Sequence, residues 1–176
     1  MNNKLEIKEK SDKLPVYKVL FVCNGNVFRS ISAEVLLKHY LNEHKIKGWK
    51  VFSAGTMAKK QEIDPEVISE LKMFGAKNLI HKPHKLNTSM LKKFDLVIAM
   101  SEDQIDFMKK KFNYTEAVLF NELVNNEKTS IWDVNDTVKD YLTNREGVEK
   151  KINETIQYIN KNISKLAGDI VQRFQK

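Results

Sequence analysis

The fold is decided by residues 19–30, which read VLFVCNGNVFRS. Four apolar residues lead to Cys23, and a polar turn containing glycine then connects to Arg29 and Ser30. An apolar strand that passes through such a turn into a helix is typical of a parallel α/β sheet. We therefore predict a strand over residues 16–22 and a helix that begins near Ser30. Cys23 is then the residue at which the strand ends and the turn begins.

The turn after the strand has the composition of an anion-binding loop. Gly25 permits backbone conformations that a side chain would forbid, and Asn26 tolerates a left-handed turn better than most residues. Backbone N–H groups of such a turn can point inward at an anion, and the helix N-terminus adds a positive partial charge. These donors favour the thiolate form of a cysteine, which is its nucleophilic form.

Three side chains give the loop its predicted chemistry. Cys23 is the candidate nucleophile, and the planar guanidinium of Arg29 can bind two oxygens of a phosphoryl group. Ser30 can cap the helix and donate a hydrogen bond to the thiolate. The alternative is that Cys23, the single cysteine of the chain, is a buried core thiol. The rest of the predicted phosphate-binding loop consists of Asn24, Gly25, Asn26, Val27 and Phe28.

Composition favours a compact enzyme from a reducing compartment such as the cytoplasm. The length of 176 residues suits one domain, and a single cysteine excludes an internal disulfide framework. No apolar run reaches membrane-spanning length, so no membrane association is expected. The formal net charge is +7, but the lysines are scattered along predicted helices, which does not favour a nucleic-acid partner. No His, Cys or carboxylate cluster indicates a metal site, and no cofactor is expected.

Short apolar runs alternate with helical patterns along the rest of the chain, which predicts a parallel sheet covered on both faces. The polar residues 1–15 are predicted to be an N-terminal extension, and residues 16–176 a single catalytic domain. Residues 76–91 are predicted to be a loop with a short helical turn. The further predicted strands are residues 49–53, 94–100 and 117–120. Helices are predicted over residues 64–75 and over residues 101–112, with Ser101 as cap. The last predicted helix covers about residues 137–174, as one helix or as two in line.

Residues 22–34, VCNGNVFRSISAE, contain every fixed position of the pattern V-C-x-G-N-x-x-R-S-x-x-A-E. This pattern resembles the signature of the low-molecular-weight protein tyrosine phosphatases and their arsenate-reductase relatives. The similarity extends from Lys18 to about Val171, and it includes a SAGT turn at residues 53–56. The resemblance implies a three-layer α/β/α fold, called phosphatase I-like, with a four-stranded parallel sheet in the order 2-1-3-4.

The same resemblance implies a phosphomonoester hydrolase that forms a phosphocysteine intermediate on Cys23, with Arg29 binding the phosphoryl group. Such an enzyme uses an aspartate before the last helix as general acid and then as general base. The family pattern W-x-x-x-D-P, matched by residues 132–136 except for the proline, gives this role to Asp136, with Asp133 as the alternative. Asp136 also suits a simple cap of the final helix.

The resemblance assigns supporting roles to Ser53 and to His81, which falls where the family has a histidine ahead of its third strand. Both are expected to hold the turn at Asn26 through hydrogen bonds, so that the loop is preorganised. For His81, a solvated histidine in a polar loop is the alternative.

The substrate is less well defined, because this chain departs from the family at several positions. Phe28 occupies the place of a second cysteine found in many members, so a protective disulfide with Cys23 is not expected. Few aromatic residues are expected at the mouth of the site, with Tyr141 as one candidate. Val27 is the aliphatic type of the tyrosine enzymes, whereas the phosphoarginine enzymes carry threonine there.

Three functions therefore stay open at the level of sequence. The leading interpretation is a protein tyrosine phosphatase whose partner is a phosphorylated protein and whose loop binds phosphate or another oxyanion. The alternatives are an arsenate reductase that uses an external thiol and a non-catalytic phosphate-binding module. Phosphoarginine and phosphosugars are alternative substrates of the phosphatase.

Overall fold

In the computed structural model, residues 15–77 and 79–174 are described. The extension predicted for residues 1–15 lies outside these residues, apart from Pro15. The core is a four-stranded parallel sheet whose second strand along the chain lies at one edge and whose fourth lies at the other. In chain order the strands are β1 Tyr17–Cys23, β2 Trp49–Gly55, β3 Leu96–Ala99 and β4 Val118–Leu119. The predicted fold class and the strand order 2-1-3-4 are confirmed.

Helices cover both faces of this sheet. The N-cap of the second helix is Asp64, whose side chain accepts a hydrogen bond from Glu66 N at 2.9 Å, and Pro65 follows as its first residue. Ser101 and Gln104 form the capping box predicted in part for the fourth. Within the described residues the helices are α1 Arg29–Glu43, α2 Pro65–Met73, α3 Thr88–Leu91, α4 Glu102–Phe112, α5 Phe120–Asn125, α6 Val134–Thr137 and α7 Arg145–Phe174.

The C-terminal part of the chain differs from the prediction in two ways. The short helices α5 and α6 were not predicted, and the final helix begins at Arg145 instead of near Thr137. Between α6 and α7, Asp140 adopts a left-handed conformation with φ of 54°, which is incompatible with a continuous helix. The Asn144 side chain then accepts a hydrogen bond from Gly147 N at 2.9 Å and so satisfies a free N–H of the first turn of α7.

Strand β1 lies at the centre of the fold and is buried on both faces. Its side chains alternate between two clusters, because successive residues of a strand point to opposite faces of the sheet. Val19 and Phe21 belong to the larger cluster with apolar residues of α1 and α7, whereas Leu20 and Val22 pack with residues such as Met108 of α4. The burial of this strand fixes the position of Cys23 at its carboxyl end.

The end of β2 lies directly against the loop that follows β1. Thr56 N donates to Cys23 O at 2.9 Å, and Met57 N donates to Asn24 O at 3.0 Å. A Cβ atom added to Gly55 would lie only 2.4 Å from Asn24 O, so this close backbone contact requires glycine. None of the described helices is long and apolar enough to cross a lipid bilayer.

Candidate active site

Cys23 lies at the base of the loop, with polar groups directed at its sulfur. Asn26 N donates to Cys23 Sγ at 3.3 Å, and Ser30 Oγ lies 3.0 Å from the same atom. Asn26 has a φ of 58°, in the left-handed region, and this turn curls the backbone so that its N–H faces the sulfur. Cys23 is also 1% exposed and belongs to the larger core cluster, so its side chain packs in the core and lies within hydrogen-bond distance of these two polar groups.

Ser30 contacts the sulfur but does not cap the helix. Helix α1 begins at Arg29, its N-cap position is Phe28, and no side chain makes a capping hydrogen bond there. The predicted capping role of Ser30 is therefore wrong, because the residue lies inside the first turn. Its Oγ accepts a hydrogen bond from Asn26 Nδ2 at 3.0 Å, which leaves the hydroxyl hydrogen available for Cys23 Sγ.

The turn at Asn26 is held by hydrogen bonds on all sides. Asn26 is fully buried, and its Nδ2 also donates to Ser53 Oγ at 2.8 Å. Its backbone oxygen accepts from His81 Nε2, and its Oδ1 accepts from His84 N, both at 2.8 Å. The structure thus places Ser53 and His81 at the residue where they were expected. Every polar group of Asn26 that shapes the loop has a partner, so the loop is preorganised.

Two contributors to this network were not singled out from the sequence. Ser53 Oγ donates to Glu34 Oε2 at 2.5 Å. Glu34 is the last residue of the signature at residues 22–34, so its position was a usable signal. His84 acts through its backbone N–H, and no property of its side chain could have revealed that contact.

His81 is expected to make stability depend on pH. Burial lowers the pKa of His81 below its usual 6.5, against the opposing effects of the hydrogen bond to Asn26 O and the charge of Glu34. The unfolded chain therefore binds more protons than the folded one just below pH 6.5. Above that pH, neutral His81 should make its full contribution to the free energy of unfolding. As the pH falls below it, the free energy of unfolding measured by urea titration should decline. In His81→Gln, which keeps an N–H donor, this decline should be smaller; equal slopes in the two proteins would contradict the prediction.

Arg29 is fully buried, and most of its donors are already engaged. Nη1 donates to Ile131 O at 2.9 Å and to Ser101 Oγ at 3.3 Å, and Nη2 forms an ion pair with Asp133. The Nε atom has no hydrogen-bond partner within the described residues. A guanidinium carries five N–H donors, so the Nε–H group and one Nη2 hydrogen are left over. Two donors on neighbouring nitrogens match two oxygens of a phosphoryl group.

Asn24 joins the loop to its neighbours. Its Oδ1 accepts from Thr56 Oγ1 at 3.1 Å and from Gln104 Nε2 at 2.9 Å, and its Nδ2 donates to Asp103 Oδ2 at 3.1 Å. These contacts connect the loop to the turn after β2 and to the first turn of α4. The sequence placed Asn24 in the loop but did not indicate its three partners.

A cleft of about 610 Å³ adjoins the loop, and charged side chains such as Asp64 and Arg145 line it together with apolar ones. Val27 and Phe28 lie on one side of it, and Phe28 is 7% exposed and belongs to the core cluster. Tyr141 and Leu142 line another side and are 42% and 84% exposed. The cleft therefore supplies apolar surface and two aromatic residues beside the loop, the buried Phe28 and the more exposed Tyr141.

The two candidate acids lie at α6 in different surroundings, Asp133 directly before the helix and Asp136 within it. Asp133 is the N-cap of α6 and forms the ion pair with Arg29. Asp136 is exposed, and its Oδ2 accepts a hydrogen bond from Asp133 N at 3.1 Å. Asp136 thus belongs to the capping box of α6 and does not cap α7, which begins at Arg145. In the described part of the chain, no three His, Cys, Asp or Glu side chains are grouped so as to hold a metal ion.

The domain has a cysteine at the end of β1, a turn whose Asn26 N–H points at the sulfur, and a buried arginine at the start of α1. A cysteine and an arginine placed on either side of such a turn define a class of α/β proteins suited to binding oxyanions. Comparison with known families makes the assignment specific. The family model of low molecular weight phosphotyrosine protein phosphatases matches residues 18–176, and the chain belongs to that family.

Curated relatives include both phosphatases and a reductase. The low molecular weight phosphotyrosine protein phosphatase 1 of Drosophila melanogaster is 32% identical over 97 residues, covering 54% of this chain and 62% of that protein. The arsenate reductase of Bacillus subtilis is 31% identical over 88 residues, covering 50% of this chain and 59% of that protein. The aligned part of this chain thus spans less than two thirds of either relative.

Solved structures agree over nearly the whole domain. A YwlE arginine phosphatase variant with a phosphorylated active-site serine superimposes with a TM-score of 0.77 at 21% identity, covering 90% of this chain and 98% of that one. A low molecular weight protein tyrosine phosphatase from T. tengcongensis gives a TM-score of 0.72 at 25% identity, covering 86% and 98%. The first of these similarities shows the fold alone.

Proposed function

We propose that this protein is a phosphomonoester hydrolase that removes phosphate from phosphotyrosine in proteins, with Cys23 as nucleophile. The observation that carries the proposal is the set of unused donors on Arg29, which begins α1 at the far end of the loop that follows Cys23. A buried guanidinium with two neighbouring donors unused is suited to an anion of at least two oxygens. The sulfur at the base of the same loop can then attack the bound phosphorus.

The reaction proceeds in two steps. The Cys23 thiolate attacks phosphorus, the bond from phosphorus to the tyrosine oxygen breaks, and the loop N–H groups with Arg29 stabilise the charge on the phosphoryl oxygens. Asp136 protonates the departing phenolate oxygen. Asp136 then takes a proton from water, which attacks phosphorus and releases phosphate and the thiolate. The Ser30 hydroxyl, 3.0 Å from the sulfur, stabilises the thiolate when it leaves.

The apolar surface beside the loop supports an aromatic leaving group. Val27 and Tyr141 face the same cleft, where a phenyl ring of the substrate can pack against them. A reducing compartment such as the cytoplasm fits this enzyme, because Phe28 replaces the cysteine that could protect Cys23 by a disulfide.

The function is tested by phosphate release from two peptides of one sequence, carrying either phosphotyrosine or phosphoarginine. We expect turnover of p-nitrophenyl phosphate, of free phosphotyrosine and of the phosphotyrosine peptide. The value of kcat/KM for the phosphotyrosine peptide should exceed that for the phosphoarginine peptide by about tenfold or more. A preference for phosphoarginine would contradict both the proposed substrate and the ester bond, because phosphoarginine carries a P–N bond, but it would keep a thiolate that attacks phosphorus. Arsenate reduction with an added thiol, without ester hydrolysis, would support the arsenate reductase. Phosphate binding without either reaction would indicate a binding module.

A further inference from the structure

Asp133 lies between the two parts of the site that must act together. It forms an ion pair with the phosphate-binding arginine, and it is also the first residue of the turn that carries the proposed acid. We propose that Asp133 is a positioning residue, which orients the guanidinium of Arg29 and anchors the turn of Asp136 to it. This inference rests on the proposed function and adds to it the residue that aligns its two charged groups.

Arg29 needs fixed partners because its charge is fully buried. Taking a guanidinium out of water is costly unless opposite charge and acceptors replace the lost water. Asp133 supplies the carboxylate, and its own side chain is 24% exposed. The other acceptors, Ile131 O and Ser101 Oγ, are uncharged and both bind Nη1.

Asp133 determines which edge of the guanidinium is available. Acceptors on both Nη1 and Nη2 keep the planar guanidinium from rotating about the Cδ–Nε bond. The unused Nε–H group is thereby held in one direction, as two-oxygen binding requires. Without the carboxylate, only the two bonds at Nη1 resist this rotation, and a displacement of about 1 Å at a catalytic group is enough to lower the rate by about 100-fold.

The second carboxylate oxygen of Asp133 binds the first turn of α6, the helix that carries Asp136. Oδ1 accepts from Val134 N at 2.9 Å, while Asp133 N donates to Asp136 Oδ2 at 3.1 Å. Thr137 Oγ1 closes the turn by donating to Asp133 O at 2.9 Å. Within the described residues, both carboxylate oxygens of Asp133 thus accept hydrogen bonds, one from Arg29 and one from the helix. Accepting on both oxygens is the role that a positioning carboxylate needs.

Matched amide variants separate positioning from proton transfer. Asp133→Asn and Asp136→Asn are compared for kcat and KM on p-nitrophenyl phosphate, a good leaving group, and phenyl phosphate, a poor one. Calorimetry measures the affinity of each protein for inorganic phosphate. Loss of an acid penalises the poor leaving group more, whereas a misaligned Arg29 penalises both substrates equally and weakens phosphate binding.

For Asp133→Asn we expect kcat/KM to fall about 100-fold on both substrates and phosphate affinity to fall about tenfold. Removal of a negative charge near the anion would by itself tighten binding, so a loss reports the orientation of Arg29. For Asp136→Asn we expect phosphate affinity within about twofold of wild type. Its kcat/KM should fall at least about tenfold more on phenyl phosphate than on p-nitrophenyl phosphate. Asp133→Ser is the second variant, because serine is a good N-cap but too short to reach Arg29, and it should show the same loss of phosphate affinity.

The proposal is overturned if both Asp133 variants bind phosphate as tightly as wild type or more tightly. It is equally overturned if Asp133→Asn shows the leaving-group dependence expected of an acid. Failure of the proposed function has a different signature, namely no ester hydrolysis by wild type. In that case the calorimetric comparison of wild type with the Asp133 variants still decides the role of Asp133.

Discussion

Replacement of Cys23 by serine is expected to abolish turnover of p-nitrophenyl phosphate, with kcat at least about 10⁴-fold lower, while phosphate binding persists. A serine hydroxyl is not ionised near neutral pH, and it is a poorer nucleophile and leaving group than a thiolate. The oxyanion ligands are not removed, because Arg29 and the backbone N–H groups of the loop stay in place. Steady-state kinetics and calorimetry with inorganic phosphate measure the two effects separately.

Ser30→Ala is the matched control for this prediction. This variant removes the Ser30 hydroxyl, which lies 3.0 Å from Cys23 Sγ, and keeps the thiol. It should lower kcat about tenfold without abolishing turnover. Retention of more than about one per cent of wild-type kcat in Cys23→Ser would place the nucleophile at another residue. Loss of phosphate binding in that variant would contradict the assignment of the oxyanion ligands to Arg29 and the backbone.

Arg29→Lys is expected to lower kcat/KM by about 1,000-fold and to remove most of the affinity for phosphate. The guanidinium makes three contacts, with Ile131 O, Ser101 Oγ and Asp133, and keeps two further donors for the anion. An ammonium has three donors and no planar fork, so it cannot satisfy both sets at once. The thermal midpoint should fall as well, because Asp133 loses part of its ion pair.

Arg173→Lys provides the control for the chemical change itself. Arg173 is an exposed residue near the end of α7 that pairs with Asp169 one turn away, at 2.5 Å. This surface substitution should leave kcat/KM and phosphate affinity within about twofold of wild type. A fall of less than tenfold in kcat/KM of Arg29→Lys would show that a single positive charge is sufficient, which would contradict the two-oxygen role of the guanidinium.

The central part of the fold was predictable because its signals are local. The apolar run that ends at Cys23 specifies a buried strand, and Asn26 supplies the left-handed turn that follows it. The strand order came from the resemblance at residues 22–34 and was confirmed by the sheet. The start of the final helix was missed because the left-handed backbone at Asp140 leaves no mark in the apolar periodicity.

The candidate site was predictable to the extent that its residues lie in one segment. Cys23 and Arg29 are six positions apart, at the two ends of the loop that connects β1 to α1. Asp133 is 104 residues from Arg29, and Ile131 contacts the guanidinium through its backbone oxygen. The sequence pointed to Asp133 only as an alternative acid, because an ion pair over such a separation depends on how α6 packs beside the sheet.

The contact between Gly55 and Asn24 O fixes the loop to β2 through backbone atoms alone. No side chain fits between β2 and the loop, so the width of the loop is dictated by backbone against backbone. A larger residue at position 55 would have to displace the loop or the end of β2. The exposed residues at the rim, such as Met57, Tyr141 and Leu142, carry no such constraint. If the protein acts as proposed, substitutions at these exposed residues should change substrate preference without moving the loop.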